Sequence, residues 1–111
     1  MTTNDYEVIF AIVNAGYAED AMKIARDYGA KGGTIINGRG VAKEKEAEFF
    51  GITLHSEKEI LMLVVEKDIR DQIFHALYKQ MKKNQKSQII LFSLPVSETA
   101  GLATEIETIT N

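Results

Sequence analysis

The sequence predicts an α+β domain in which a four-stranded antiparallel sheet carries two helices on one face. Three observations favour this class: apolar runs of strand length, two segments with apolar residues at helical spacing, and their order along the chain. That order is strand, helix, strand, strand, helix, strand. A chain of 111 residues, 45% hydrophobic and 26% charged, is typical of one globular domain, here residues 1–111.

The first half of the chain contains a strand, a helix and a short strand. In residues 6–13 both alternating sets of side chains are apolar, which is typical of a strand covered on both faces. Apolar residues then recur every three or four positions over 18–28, and Gly29 follows where a glycine often ends a helix. A short strand over 34–36 is predicted to end at residues 37–40, which include two glycines.

The second half of the chain repeats the order of strand, helix and strand. Residues 60–65 form the most apolar run and predict a buried strand. Asp68 is predicted to cap the next helix, whose apolar stripe extends to about residue 83. Residues 89–94 predict the last strand, which Pro95 ends because proline has no N–H for the ladder. The element order is therefore that of a ferredoxin-like βαββαβ sandwich.

Two segments are predicted to lie outside this sandwich. A variable loop is expected at about residues 38–55, and a loose, thinly apolar C-terminal tail from about residue 103. The Lys- and Glu-rich stretch over 41–50 is compatible with either a short helical turn or a mobile loop.

The strand patterns also predict self-association. Two helices can cover only one face of the sheet, yet the first, third and fourth predicted strands are apolar on both sides. A monomer would leave an apolar face larger than the few hundred Å² that soluble monomers usually expose. We therefore expect an oligomer that associates through the sheet.

Composition excludes several classes of protein. The net charge of −3 provides no overall positive field for nucleic acid, and the absence of cysteine removes disulfides and thiolate metal sites. No apolar run approaches the ~18 residues of a membrane span, and the N-terminus lacks the pattern of a signal peptide. The sequence thus predicts a cytoplasmic protein with neither a nucleic-acid partner nor direct membrane insertion.

Catalytic motifs are nearly absent. His55 and His75 are the only histidines, and surface or core-edge positions explain them better than a metal site or a catalytic base. There is no nucleophile elbow and no phosphate-binding P-loop. We predict that the protein is not an enzyme and that it has no catalytic or metal-binding residues.

Two polar clusters are candidates for anion binding. Glycines at 32, 33, 38 and 40 bracket the second strand, so backbone N–H groups there can face an anion, and Arg39 can hold phosphate oxygens bidentately. The alternative is that these glycines only mark turns. Lysines at 79, 82, 83 and 86 crowd the end of the second helix, where they either offset the helix dipole or form a rim for phosphate.

Taken together, these residues resemble the nitrogen-regulatory PII signalling protein family over residues 6 to about 102. The resemblance rests on the first strand, the segment 29–34 (GAKGGT), the Gly38-Arg39-Gly40 triplet and the third strand followed by Lys67-Asp68. The ending FSLPV at 92–96, followed by AGL at 100–102, is similar to a divergent PII-like branch.

The resemblance implies a ferredoxin-like homotrimer with ligand clefts between subunits. Members bind an adenine nucleotide there (ATP, ADP or AMP) as an effector rather than a required cofactor, and a long loop engages a regulated enzyme or membrane transporter. By position, Thr34 would lie near the adenine, Gly38 and Gly40 at the root of the loop, and Lys58 near the phosphates.

The sequence departs from the family pattern at several places. The loop segment is short and has no tyrosine between residues 40 and 54, so tyrosine uridylylation cannot occur there. Gln88 stands where a phosphate-contacting lysine is expected, although Lys86 is close enough in sequence to replace it. No arginine follows Arg70, so the C-terminal arginines that hold nucleotide phosphates in relatives are missing.

Two functions are consistent with these features. The first is a PII-like regulator that binds a small anionic effector in inter-subunit clefts and controls an enzyme or transporter, with a role in nitrogen metabolism. The alternative is a structural or partner-binding ferredoxin-like trimer, similar to the CutA-type proteins, that binds no nucleotide. The missing basic residues favour the alternative, whereas the flanking glycines favour the regulator.

Overall fold

The computed structural model describes residues 5–41 and 56–102, and it contains the predicted elements in the predicted order. The strands form one antiparallel sheet in the order β2-β3-β1-β4, which confirms the ferredoxin-like arrangement. A 3₁₀ turn precedes the last strand. The elements are β1 (Tyr6–Asn14), α1 (Ala18–Asp27), β2 (Thr34–Gly40), β3 (Ser56–Glu66), α2 (Lys67–Met81), the 3₁₀ turn (Gln85–Ser87) and β4 (Ile90–Pro95).

The core lies between the two helices and one face of the sheet. Odd-numbered residues of β1 and β3 share one face, since Ile9 pairs with Leu63 and Ala11 pairs with Leu61, and they pack in one core cluster with the helices. These four side chains are fully buried. From α1, alanines at 18, 21 and 25 are also fully buried, and their small side chains allow the helix to approach the sheet closely.

The prediction that residues 37–40 close the second strand is wrong, because β2 continues through Gly40 and pairs with a longer β3. Gly38 lies opposite Lys58, and Gly40 lies opposite Ser56. A Cβ on Gly40 would stand 2.8 Å from the Ser56 Oγ and 2.9 Å from the Lys58 Cε. Glycine at position 40 therefore permits a close approach between strands, whereas the sequence suggested a turn.

The prediction that Asp68 caps the second helix is also wrong. The helix begins at Lys67 directly after β3, and Glu66 occupies the N-cap position. Asp68 lies in the first turn, where its negative charge still favours the positive end of the helix dipole. The Lys67 N–H donates to the Asp5 carbonyl at 2.9 Å, so a neighbouring segment satisfies this end of the helix.

Two predicted segments fall largely outside the described residues. Of the loop predicted at 38–55, residues 38–40 belong to β2, while 42–55, including His55, are not described. The tail predicted from residue 103 also lies outside the described range. Both segments remain predictions from the sequence.

The sheet face opposite the helices, called the open face below, is apolar. Its centre carries a stacked aromatic pair, Phe10 and Phe92, with ring centroids 5.1 Å apart. Ile90 and Leu94 on the edge strand β4 are 59% and 51% exposed. The prediction of strands that are apolar on both sides is thus confirmed for β1, β3 and β4. The register places ten apolar residues here: Val8, Phe10, Ile12, Ile36, Ile60, Met62, Val64, Ile90, Phe92 and Leu94.

The N-terminus of α1 is capped by a residue from another strand. Tyr17 at the N-cap position provides no side-chain hydrogen bond. Instead, the Glu59 Oε1 on β3 accepts hydrogen bonds from the backbone N–H groups of Gly16, at 2.8 Å, and Ala18, at 3.1 Å. A carboxylate from β3 therefore satisfies the turn before α1 and its first N–H group, and it fixes this end of the helix on the sheet.

We expect Glu59→Ala to lower the free energy of unfolding by about 1–2 kcal/mol, because two N–H groups lose a charged acceptor. Urea denaturation followed by circular dichroism measures this loss. Glu57→Ala is the matched control, since Glu57 is exposed on the same strand. An equal loss in the two variants would show that the helix cap contributes nothing beyond the change in strand propensity.

Candidate functional site

A cleft of about 500 Å³ opens where the chain passes from α1 into β2. We call it the Thr34 cleft. Residues 29–34 form one wall, and side chains at the C-terminal end of β3, including Val64 and Glu66, form another. Ile69 on α2 and Leu102, the last described residue, line the remaining side. Among the described residues, the cleft combines an apolar floor with the Lys31 ammonium, the Glu66 carboxylate and exposed backbone.

The two glycines at the wall of this cleft have different roles. Gly33 faces the core, where an added Cβ would lie 2.6 Å from the Leu63 Cδ2 and 3.0 Å from the Met22 Sδ. Gly32 has no atom within 4 Å of such a Cβ and lines the open space of the cleft. Packing therefore explains Gly33, whereas Gly32 keeps the cleft wall free of a side chain.

A cluster of polar side chains, called the Lys58 group below, lies at the opposite end of β3 from the cleft. The Lys58 Nζ donates to the Asn14 Oδ1 at 2.6 Å, and the Asn14 Nδ2 donates to the Lys86 carbonyl at 2.7 Å. Asn14 thus links the start of β3 to the 3₁₀ turn before β4. Gln88 follows that turn in the left-handed conformation with φ of 48°, and it is exposed.

The structure divides the sequence-predicted site residues between these two places. Thr34 lines the cleft, whereas Gly38 and Gly40 lie farther along β2 beside Lys58. Thr34 and Gly38 are four residues apart on the strand, which corresponds to about 13 Å. The exposed Arg39 points to the opposite sheet face, because it pairs with Glu57. The Lys86 carbonyl joins the Lys58 group through Asn14, and Gln88 lies two residues farther along the chain.

Thr34, Gly38, Gly40 and Lys58 nevertheless share one surface. Directly paired residues point to the same side of an antiparallel sheet, and the register pairs Thr34 with Met62 and Gly38 with Lys58. All of these even-numbered positions belong to the open face. A ligand that touches both ends of the site would therefore lie along the β2 edge of the apolar surface.

Sequence reasoning missed several cleft residues. The sequence predicts Val64 only as part of the third strand and Leu102 only as part of the ending at 100–102, and it assigns no role to Glu66. Alternation within β3 would have placed Val64 and Glu66 on one side. Asn14 carried no local signal, because its partner Lys86 is 72 residues away in the chain.

Other kinds of site are not found among the described residues. Over 5–41 and 56–102, no three His, Cys, Asp or Glu side chains are grouped as metal ligands. In the same ranges, no helix is long and apolar enough to cross a membrane. His75 is exposed on α2 and meets Phe74 edge to face, with ring centroids 5.9 Å apart.

Comparison with known proteins yields one family and one fold. The family model of nitrogen regulatory protein P-II matches residues 6–105. No curated protein sequence matches the chain.

Among solved structures, Arabidopsis thaliana PII bound to citrate has a TM-score of 0.68 and 19% identity, over 92% of this chain and 84% of its own. The Bacillus subtilis GlnK–ATP complex has a TM-score of 0.69 and 17% identity, over 89% of this chain and 88% of its own.

A third similar structure is CPII, a nitrogen regulatory PII-like protein from Thiomonas intermedia, bound to ADP, AMP and bicarbonate. Its TM-score is 0.66 at 11% identity, over 91% of this chain and 100% of its own. At these identities the three structures establish a shared fold.

Proposed function

Because the chain belongs to the nitrogen regulatory protein P-II family, we propose that it is a homotrimeric signalling protein that binds an adenine nucleotide as an effector and regulates a partner enzyme or transporter. In this proposal it acts in the cytoplasm, it catalyses no reaction, and its role lies in nitrogen metabolism. The single observation that carries the proposal is the position of the Thr34 cleft at the border of the apolar open face.

The apolar open face supports the proposal that the protein assembles as a trimer. Ten apolar side chains on four strands form one continuous surface, with the charged Lys58 and Glu66 only at the two ends of β3, and the side chains on β4 are about half exposed. Burying such a surface against other copies stabilises an assembly by about 25 cal/mol for each Å² removed from water. Three copies of this face, related by a threefold axis, would form a central apolar core and leave the helices outside.

The character of the Thr34 cleft supports the proposal that the protein binds a nucleotide. An apolar floor with a few polar groups is the usual character of a small-molecule site, and the similar structures include complexes with ATP and with ADP and AMP. Because Thr34 and Lys58 both lie on the open face, association through that face places them at a subunit boundary. We assign the base to the Thr34 cleft and the phosphates to the Lys58 group, where Gly38, Gly40, Lys86 and Gln88 are the accessory candidates.

One observation favours the alternative of a trimer without a nucleotide. The Lys58 ammonium is already held by the Asn14 side chain, and the sequence has no arginine after Arg70. A site with few free cations binds a triphosphate weakly. Calorimetric titration with ATP, ADP and AMP separates the two functions, since the alternative predicts no heat of binding with any of them.

We expect Gly32→Leu to reduce nucleotide affinity by at least about tenfold, because the leucine side chain would fill part of the cleft. A Cβ at this position has no atom within 4 Å, so the side chain would extend into open space. The thermal stability of the variant should stay near that of the unaltered protein. Lys23→Leu on the exposed surface of α1 is the control for adding the same side chain elsewhere. Unchanged affinity in Gly32→Leu would remove the Thr34 cleft from the binding site.

A further inference from the structure

A second depression lies on the outer side of the molecule, away from the open face. It has a volume of about 420 Å³ and runs between the C-terminal end of α1 and the second half of α2. We call it the helix groove. None of the proposed nucleotide-binding residues lines it.

One wall of the helix groove is held in place by two glutamines from α2. The Gln72 Nε2 donates to the Tyr28 carbonyl at 2.7 Å, and the Gln80 Nε2 donates to the Tyr28 hydroxyl at 3.3 Å. These glutamines are eight residues apart, which corresponds to about 12 Å along the helix. Tyr28 is therefore fixed across two turns of α2 while its side chain remains 40% exposed.

The other wall carries a line of basic side chains. His75 and Lys79 lie four residues apart on α2, about 6 Å along the helix, and Lys83, just beyond the end of α2, lines the same groove. Helical hydrogen bonding reaches Lys82, whose N–H donates to the Tyr78 carbonyl at 3.0 Å, so Lys83 directly follows the end of the helix.

The charges of Lys79 and Lys83 are not neutralised within the described part of the chain. Over residues 5–41 and 56–102, no carboxylate lines the helix groove, and neither Lys79 nor Lys83 forms an ion pair. Lysines near a helix C-terminus offset the helix dipole, but that role does not require them to line a depression together with a histidine from two turns earlier. In a chain with a net charge of −3, this groove is a local site of uncompensated positive charge.

We propose that the helix groove is a docking site for an acidic segment of a partner protein. Carboxylates four residues apart on a helix are also about 6 Å apart, which matches the spacing of the basic line. A protein segment fits better than a small anion, because the groove is shallow and open and would leave much of a small molecule in water.

The position of the helix groove fits a regulatory assembly. It lies on the helix side of the sheet, so association through the open face leaves it accessible on every subunit. Several grooves on one assembly would strengthen the binding of a partner that carries several acidic segments. The proposal concerns a surface separate from the nucleotide site, and it can fail or succeed independently of nucleotide binding.

The test uses a fluorescein-labelled 16-residue peptide of alanine and glutamine with glutamate at every fourth position, and fluorescence anisotropy at low salt. We expect saturable binding that Lys79→Gln/Lys83→Gln weakens about tenfold, the loss expected from two charge pairs. Lys23→Gln/Arg26→Gln removes the same charge from the exposed surface of α1 and should change affinity less than about twofold. A peptide with glutamine in place of glutamate should not bind.

Three outcomes would overturn the proposal. Equal losses in the two double variants would indicate a diffuse effect of charge. If inorganic pyrophosphate displaces the labelled peptide at a lower concentration than the unlabelled peptide does, the groove is a small-anion site. Absence of peptide binding to the unaltered protein would exclude the docking site, and calorimetry with ATP, ADP and AMP on the same sample would still report on the nucleotide site.

Discussion

Phe92→Glu is expected to convert an assembly of three times the 12.4 kDa chain mass into a folded monomer. Phe92 stacks on Phe10 at the centre of the open face and is 41% exposed in the single chain. In the assembly this side chain would be removed from water, and a carboxylate buried there without a partner costs several kcal/mol. Light scattering coupled to size-exclusion chromatography measures the change in mass.

The control for this prediction is Tyr78→Glu, which introduces the same charge at an aromatic residue that is 50% exposed on α2, outside the open face. Its mass should stay that of the assembly. If Phe92→Glu remains assembled, or if the unaltered protein already has the mass of one chain, association through the open face is wrong.

Gly33→Ala is expected to lower the free energy of unfolding by about 2–3 kcal/mol, the usual cost of overfilling a packed core. The new methyl group would lie 2.6 Å from the Leu63 Cδ2 and 3.0 Å from the Leu61 Cδ1, and both leucines are fully buried. Neither side chain can move away without displacing its neighbours in the core. Denaturation in guanidinium chloride measures the loss.

Gly32→Ala provides the comparison within the same wall of the cleft. A methyl group there meets no atom within 4 Å, so the change in stability should be small. Similar losses in Gly32→Ala and Gly33→Ala would show that backbone freedom, rather than contact with the core, is what this glycine pair provides.

The sequence predicted those parts of the fold that depend on local pattern. Continuous apolar runs in β1 and β3 indicated strands that are apolar on both sides, and the spacing of apolar residues indicated both helices. The bounds of β2 were wrong because a strand rich in glycine and polar residues shows no alternation, and pairing with β3 extends it to Gly40.

The candidate site was predictable only in part. Gly38 and Gly40 were identified from the glycine pattern and Lys58 from a family resemblance, but their common surface follows from the register of β2 against β3, which no local pattern specifies. The roles of Glu59 and Asn14 depend on partners at least 41 residues away in the chain. Contacts of this kind arise from tertiary packing, so they leave no periodic signal.

The position of the even-numbered residues of β2 and β3 couples ligand binding to assembly. Thr34 and Lys58 belong both to the proposed nucleotide site and to the surface through which copies are proposed to meet. A ligand that touches these residues and a neighbouring subunit would tighten the assembly by the same factor by which assembly tightens the ligand. Dilution would then release the ligand, and saturating ligand would protect the protein from dissociation on dilution.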